Sequence, residues 1–248
     1  MLKSSLKAKD KLIVALDTSD LDTAKRLIDE LREHTGMFKV GLELFTHSGT
    51  KVFDLIEKEA IKVFFDGKFM DIPNTVARAA ANIAAHRIAM LNIHTSGGLA
   101  MMKAAAEAVR DQAETSKIER PILIAVTVLT SVDANALKNE LSVRIPVEDH
   151  VIKLATLTKQ AGLDGVVASA REAQLIRASL GPDFIIVTPG IRPAWASTDD
   201  QARIVTPSQA VKNGSDYLVV GRPITGADNK KDAAARVVEE MEEALASS

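Results

Sequence analysis

Eight short runs of apolar residues punctuate this chain, and each is followed by a longer stretch in which apolar positions return every three or four residues. The short runs fall at residues 11–16, 37–41, 62–66, 89–94, 121–128, 165–168, 184–188 and 217–221. They are nearly continuous rather than alternating, the pattern of parallel strands buried on both faces. The longer stretches, at 21–32, 49–59, 75–86, 99–112, 147–162, 171–180, 207–213 and 230–245, carry the period of amphipathic helices. Eight strand–helix pairs in 248 residues predict an α/β fold, a closed (β/α)8 TIM barrel formed as a single domain over residues 1–248. No Pro- or Gly-rich linker divides the pattern. The irregular insertion is 131–146, which carries a short helix of its own. An open doubly wound sheet would place a Gly-rich turn after its first strand, where this chain has Leu16-Asp17-Thr18-Ser19-Asp20.

Composition narrows the chemistry. Lys and Arg total 31 against 33 Asp and Glu, so the formal charge is 31 − 33 = −2, and aromatic residues make up 4%. A non-specific grip on nucleic acid needs a basic face and stacking platforms, so no nucleic-acid partner is expected. An anionic ligand must instead be met by a few placed cations. The absence of cysteine removes disulfides, thiolate nucleophiles and Cys-based metal sites. Residues 1–11 hold four lysines with no apolar segment of signal-peptide length behind them, and the longest apolar run, near residues 121–130, is too short to span a bilayer. The chain reads as cytoplasmic, with no membrane partner.

In a barrel of this kind the reactive groups stand at the C-terminal ends of the strands. Those ends carry Asp17, Lys39, Asp66 with Lys68 and Asp71, His94, Thr127 with Thr130, and Gly221-Arg222. In extended geometry Asp66 and Lys68 point to one side, so an acid and a base share a face that Lys39 can join. Such an alternating array suits chemistry in which a carbanion forms and is protonated on the spot by a lysine. Blander roles compete. Asp71 before Ile72-Pro73 has the makings of a helix N-cap, Asp17 can simply end a strand, and His94 fits a hydrogen-bonded strand end. A second cluster runs from Pro189-Gly190-Ile191-Arg192 through Gln201 and Arg203 to Gly221-Arg222. Loops after strands seven and eight commonly hold phosphate, and Arg222 offers it a bidentate fork. The polar stretch 189–206, without a strand or helix signal, reads as a mobile phosphate-binding lid loop.

The run Asp66-Gly67-Lys68-Phe69-Met70-Asp71-Ile72-Pro73-Asn74-Thr75 resembles the D-x-K-x-x-D-I-P-N-T signature of the orotidine 5′-phosphate decarboxylases. Val14-Ala15-Leu16-Asp17, Phe38-Lys39-Val40-Gly41, Val126-Thr127-Val128-Leu129-Thr130-Ser131, Thr188-Pro189-Gly190-Ile191-Arg192-Pro193, Asp200-Gln201-Ala202-Arg203 and Val220-Gly221-Arg222-Pro223-Ile224 match in order along nearly the whole chain. The chain departs at Gly67, where a bulky aliphatic residue is common, and at Met70, where histidine is frequent.

The resemblance implies cofactor-free and metal-free decarboxylation of orotidine 5′-phosphate to uridine 5′-phosphate in pyrimidine biosynthesis. Lys68 is then the acid that protonates C6, Asp66 sits beside the substrate carboxylate, Lys39 holds ribose hydroxyls and orients Asp66, and Asp17 binds ribose. Asp71 and Thr75 serve the neighbouring subunit's site in a homodimer with shared active sites. Thr130 contacts base or ribose, while Arg192, Gln201, Gly221 and Arg222 bind phosphate. Two other readings compete: a Mg²⁺-dependent sugar-phosphate decarboxylase or aldolase of the same superfamily, for which Glu43 is the candidate extra ligand, and a non-catalytic nucleotide-binding barrel.

Overall fold

The computed structural model describes residues 6–196 and 205–246. Its strands are β1 (Leu12–Ala15), β2 (Met37–Gly41), β3 (Val63–Phe69), β4 (Met90–His94), β5 (Ile122–Val126), β6 (Gly165–Val167), β7 (Ile185–Thr188) and β8 (Tyr217–Val220). In that order they form a closed barrel. The helices are α1 (Ala8–Lys11), α2 (Leu21–Leu31), α3 (Leu42–Ser48), α4 (Lys51–Glu59), α5 (Pro73–Ala84), α6 (Gly98–Ser116), α7 (Ala134–Asn139), α8 (Val147–Gln160), α9 (Ala170–Leu180), α10 (Pro207–Lys212), α11 (Arg222–Thr225) and α12 (Lys230–Ala246). The predicted (β/α)8 barrel is therefore the fold observed. The helix within 131–146 is α7, capped by Asp133, whose carboxylate accepts the Ala136 N–H at 2.8 Å. Short α1, α3 and α11 were not foreseen; α1 and α11, of four residues each, make a single turn, too brief to display a 3.6-residue period.

One boundary matters for the site. The sequence places the end of β3 at Asp66, but the strand continues to Phe69 and so contains Lys68.

The chain forms two compact units, Met1–Gly67 with Thr188–Ser248, and Lys68–Val187. In the first, β1 pairs with β2 and β8, and β2 with β3, all in parallel. The register sets Ala15 beside Lys39 and Gly41 beside Asp66. Behind this sheet Phe45 of α3 packs edge-on against Phe65 of β3, ring centroids 5.0 Å apart, and Phe53 of α4 lies 5.8 Å from both. These rings bury the face of β3 opposite its polar end and hold the strand in place.

In the second unit β4 to β7 pair in sequence order. Val151, Ala155, Val166, Ala173, Ile176 and Ile186 form a buried cluster between helices α8 and α9 and the sheet. Asp164 receives Arg120 at 2.9 and 2.7 Å and also the Leu123 N–H at 2.8 Å, a clasp at the N-terminal ends of β5 and β6. No helix among the described residues is long and apolar enough to cross a membrane.

Candidate active site

Lys39 stands inside β2 with its side chain 12% exposed, and its ammonium reaches two carboxylates. Nζ lies 2.9 Å from Asp17 Oδ1 and 3.5 Å from Asp66 Oδ2. Asp66 is as sheltered as Lys39, at 12%, whereas Asp17, two residues past β1, is 56% exposed. The sequence folds this way because neighbouring parallel strands put Ala15, Lys39 and Gly41 in fixed register, so Asp17 and Asp66 flank Lys39. Gly41 supplies the room: a Cβ there would sit 3.1 Å from Lys39 Nζ. The trio carries two negative charges and one positive, and a charge-assisted contact on each side of the ammonium holds all three groups in place.

Gly221 lies near Asp17, so that a Cβ built on it would be 3.5 Å from Asp17 Oδ2. Arg222 opens α11 and is exposed. Gly190 has φ 73°, the left-handed conformation that glycine adopts without penalty, at the turn out of β7. Beyond it Ile191 bridges Val205 in parallel, and the Arg192 N–H donates to the Val205 carbonyl at 3.1 Å. The two ends of the loop are thus joined at its stem, where Arg192 is buried. Gln201 and Arg203 lie outside the described residues, as does the part 197–204 of the loop expected at 189–206.

In the second unit, Lys68 is not extended. Its φ is 49°, in the left-handed region, so strand alternation does not decide where its side chain points. Its main-chain N–H donates to Asn92 Oδ1 of β4 at 2.8 Å. Asp71 is not a helix cap: the N-cap of α5 is Ile72, and Asp71 Oδ1 instead accepts the Ile72 N–H at 2.6 Å. Pro73 at the first helical position already lacks an N–H and lowers the need for a capping side chain. Asp71 and Thr75 are exposed, and Met70 and Ile72 beside them are 56% and 67% exposed. Thr130 is exposed in the turn after β5, while Thr127 is buried and donates to the Val167 carbonyl at 3.1 Å, a structural bond between β5 and β6. His94 is half-buried at the end of β4.

Three buried polar residues have no role assigned from the sequence. Asn92, fully buried, could have been found as a lone amide inside the apolar run Met90-Leu91-Asn92-Ile93. Thr188 and Ser215, both buried, share a hydroxyl–hydroxyl bond of 2.7 Å, and no local signal marks such a pair. Glu43, the candidate extra ligand of the Mg²⁺-dependent reading, is exposed in the first turn of α3 and accepts the Ser19 hydroxyl at 3.2 Å. Among the described residues, His, Asp and Glu side chains form no group of three placed to hold a metal ion.

Fold and site together define a (β/α)8 barrel that sets ammonium and carboxylate groups at the C-terminal ends of its strands, the place such barrels use for chemistry on small ligands. The chain belongs to the orotidine 5′-phosphate decarboxylase / HUMPS family, whose sequence profile matches residues 10–237. It is 49% identical over 235 residues to the orotidine 5′-phosphate decarboxylase of Moorella thermoacetica, covering 95% of this chain and 93% of that protein. To the orotidine 5′-phosphate decarboxylase of Syntrophotalea carbinolica it is 50% identical over 240 residues, 97% of this chain and 98% of that one. The crystal structure of orotidine 5′-phosphate decarboxylase from Lactobacillus acidophilus matches with a TM-score of 0.83 at 36% identity, over 93% of this chain and 98% of that chain.

Proposed function

We propose that the chain decarboxylates orotidine 5′-phosphate to uridine 5′-phosphate, in the cytoplasm, as a carboxy-lyase of pyrimidine biosynthesis that needs neither metal nor organic cofactor. The observation that carries this reading is the Asp17–Lys39–Asp66 chain of contacts, with a second lysine, Lys68, two residues further along β3. Family membership over residues 10–237 supports it.

The bond from C6 to the carboxylate breaks and leaves its electron pair on C6. Lys68 Nζ passes a proton to C6 as carbon dioxide departs, and the neutral amine regains a proton from water. A carbanion at C6 has no adjacent carbonyl into which to spread, so a preorganised cation must stabilise it, and Lys68 is that cation. Asp66 faces the substrate carboxylate and is itself held by Lys39, which with Asp17 also binds ribose hydroxyls. Thr130 contacts the base or ribose. Arg192, Gln201, Gly221 and Arg222 bind the phosphate, and the loop 189–206 acts as the lid that phosphate binding draws closed. Asp71 and Thr75 act in the neighbouring subunit's site of a homodimer. The exposed Met70 and Ile72 beside them support this, as large apolar side chains of the kind a protein interface covers.

The test is a spectrophotometric assay with orotidine 5′-phosphate in metal-free buffer containing EDTA, on the wild type and on Lys68→Ala. Turnover that survives EDTA and vanishes in Lys68→Ala, with uridine 5′-phosphate still bound, is expected. Near-normal turnover in Lys68→Ala would refute the acid assignment. Binding without release of carbon dioxide by the wild type would leave a non-catalytic nucleotide-binding barrel.

A further inference from the structure

A lysine in the left-handed region is held there by its surroundings. The conformation brings Cβ too close to the following carbonyl for any residue but glycine to adopt it freely, so a side-chain-bearing residue found there is secured by other contacts. Lys68, with φ 49°, is such a residue, and it follows Gly67 inside β3. Its N–H meets Asn92 Oδ1 at 2.8 Å.

Asn92 is unusual in its own right. It is fully buried in β4 between Leu91 and Ile93, which are also fully buried, and faces no solvent. An amide in such a place costs free energy unless it is hydrogen-bonded, and an aliphatic residue would fill a strand position more favourably. A buried amide whose oxygen takes the main-chain N–H of the strained lysine, 24 positions earlier in the chain, has a use that packing does not provide. Placing a reacting group to within a fraction of an ångström requires that its backbone be locked by such supporting bonds.

We infer that Asn92 is a positioning residue that locks the Lys68 backbone in its left-handed conformation and thereby aims the ammonium, an assignment that rests on Lys68 being the proton donor proposed above. Asn92 acts through Lys68 and is not assigned a contact with substrate.

The experiment compares wild type, Asn92→Ala, Asn92→Asp and Lys68→Ala for kcat, KM and hydrogen exchange of the Lys68 amide. Exchange is followed in protein labelled with ¹⁵N-lysine, and the Lys68 resonance is identified by its loss in Lys68→Ala. Asn92→Ala is expected to lower kcat at least tenfold with KM within threefold, and to speed exchange of the Lys68 amide at least tenfold. Asn92→Asp keeps an oxygen acceptor of the same shape and is expected to retain the protection. A kcat for Asn92→Ala within twofold of wild type, or an unchanged Lys68 exchange rate, overturns the assignment. Should Asn92→Ala fail to fold, Asn92→Asp decides, because loss of Lys68 protection in that variant also overturns it. Failure of the proton-donor reading is seen separately, as turnover that persists in Lys68→Ala.

Discussion

Replacing Lys68 by glycine and, in parallel, by alanine isolates what its left-handed backbone costs the fold. Both variants lose the ammonium and every contact it makes, so their difference reports the Cβ at φ 49°. Left-handed geometry costs a residue with a Cβ about 1–2 kcal/mol. Against this, glycine gains conformational entropy in the unfolded chain, which disfavours its folding by about 0.4–1 kcal/mol relative to alanine. The balance favours Lys68→Gly over Lys68→Ala by about 1 kcal/mol, or about 2–4 °C in Tm for a chain of this length. This reverses the ordinary order, in which alanine outlasts glycine inside a regular element. The assay is urea unfolding followed by circular dichroism at one fixed protein concentration, since association would raise apparent stability. Neither variant should release carbon dioxide from orotidine 5′-phosphate. If Lys68→Ala proved as stable as Lys68→Gly or more so, the left-handed conformation would not be a strained feature of the native state.

Further outcomes follow from the same geometry. Lys39→Met removes the ammonium 3.5 Å from the sheltered Asp66 Oδ2 and should cost about 3 kcal/mol, as breaking a buried pair does, whereas Asp17→Asn, at an exposed carboxylate, should cost under about 1 kcal/mol; equal urea midpoints would contradict this. Arg222→Ala should raise KM more than about tenfold through loss of a bidentate phosphate contact, and an unchanged KM would mean that phosphate sits elsewhere. Arg120→Ala removes a partly exposed fork and should cost about 1 kcal/mol or less. Asp164→Ala also strips the acceptor from the Leu123 N–H and should cost about 2 kcal/mol, with turnover within about twofold in both variants. Burial and the neighbouring Lys153 hold His150 below its ordinary pKa of 6.5, so the unfolded chain takes up that proton first. Stability should therefore be full above about pH 6.5 and fall as pH drops through the folded-state value, and His150→Gln should abolish that part of the decline in a pH series of melts.

Much of this was legible along the chain. The eight apolar runs and the helical periods between them announce a barrel because each strand is buried on both faces and each helix on one, and burial writes itself into residue order. The short helix α7 was legible too, as the helix expected within the irregular insertion 131–146. The lysines and carboxylates at strand ends stood out as charged residues closing apolar runs. What the pattern misplaced lay at boundaries. The end of β3 was set three residues early, because Asp66 and Lys68 are polar and the ladder is not read from polarity. Asp71 met the local rule for a cap, yet its carboxylate took only the next N–H, since Pro73 lowers the need for a cap one residue on.

Residue order alone thus determined the number and kind of elements, their parallel arrangement and the charged groups available at the strand ends, for all of these arise from local periodicity and composition. The packing of segments distant in the chain, and not residue order, shares Lys39 between Asp17 and Asp66, turns Lys68 left-handed and brings Asn92 to its N–H. A lysine at positive φ runs against its own local preference, so a buried amide from a strand 24 positions away, rather than its sequence neighbours, helps to hold it there.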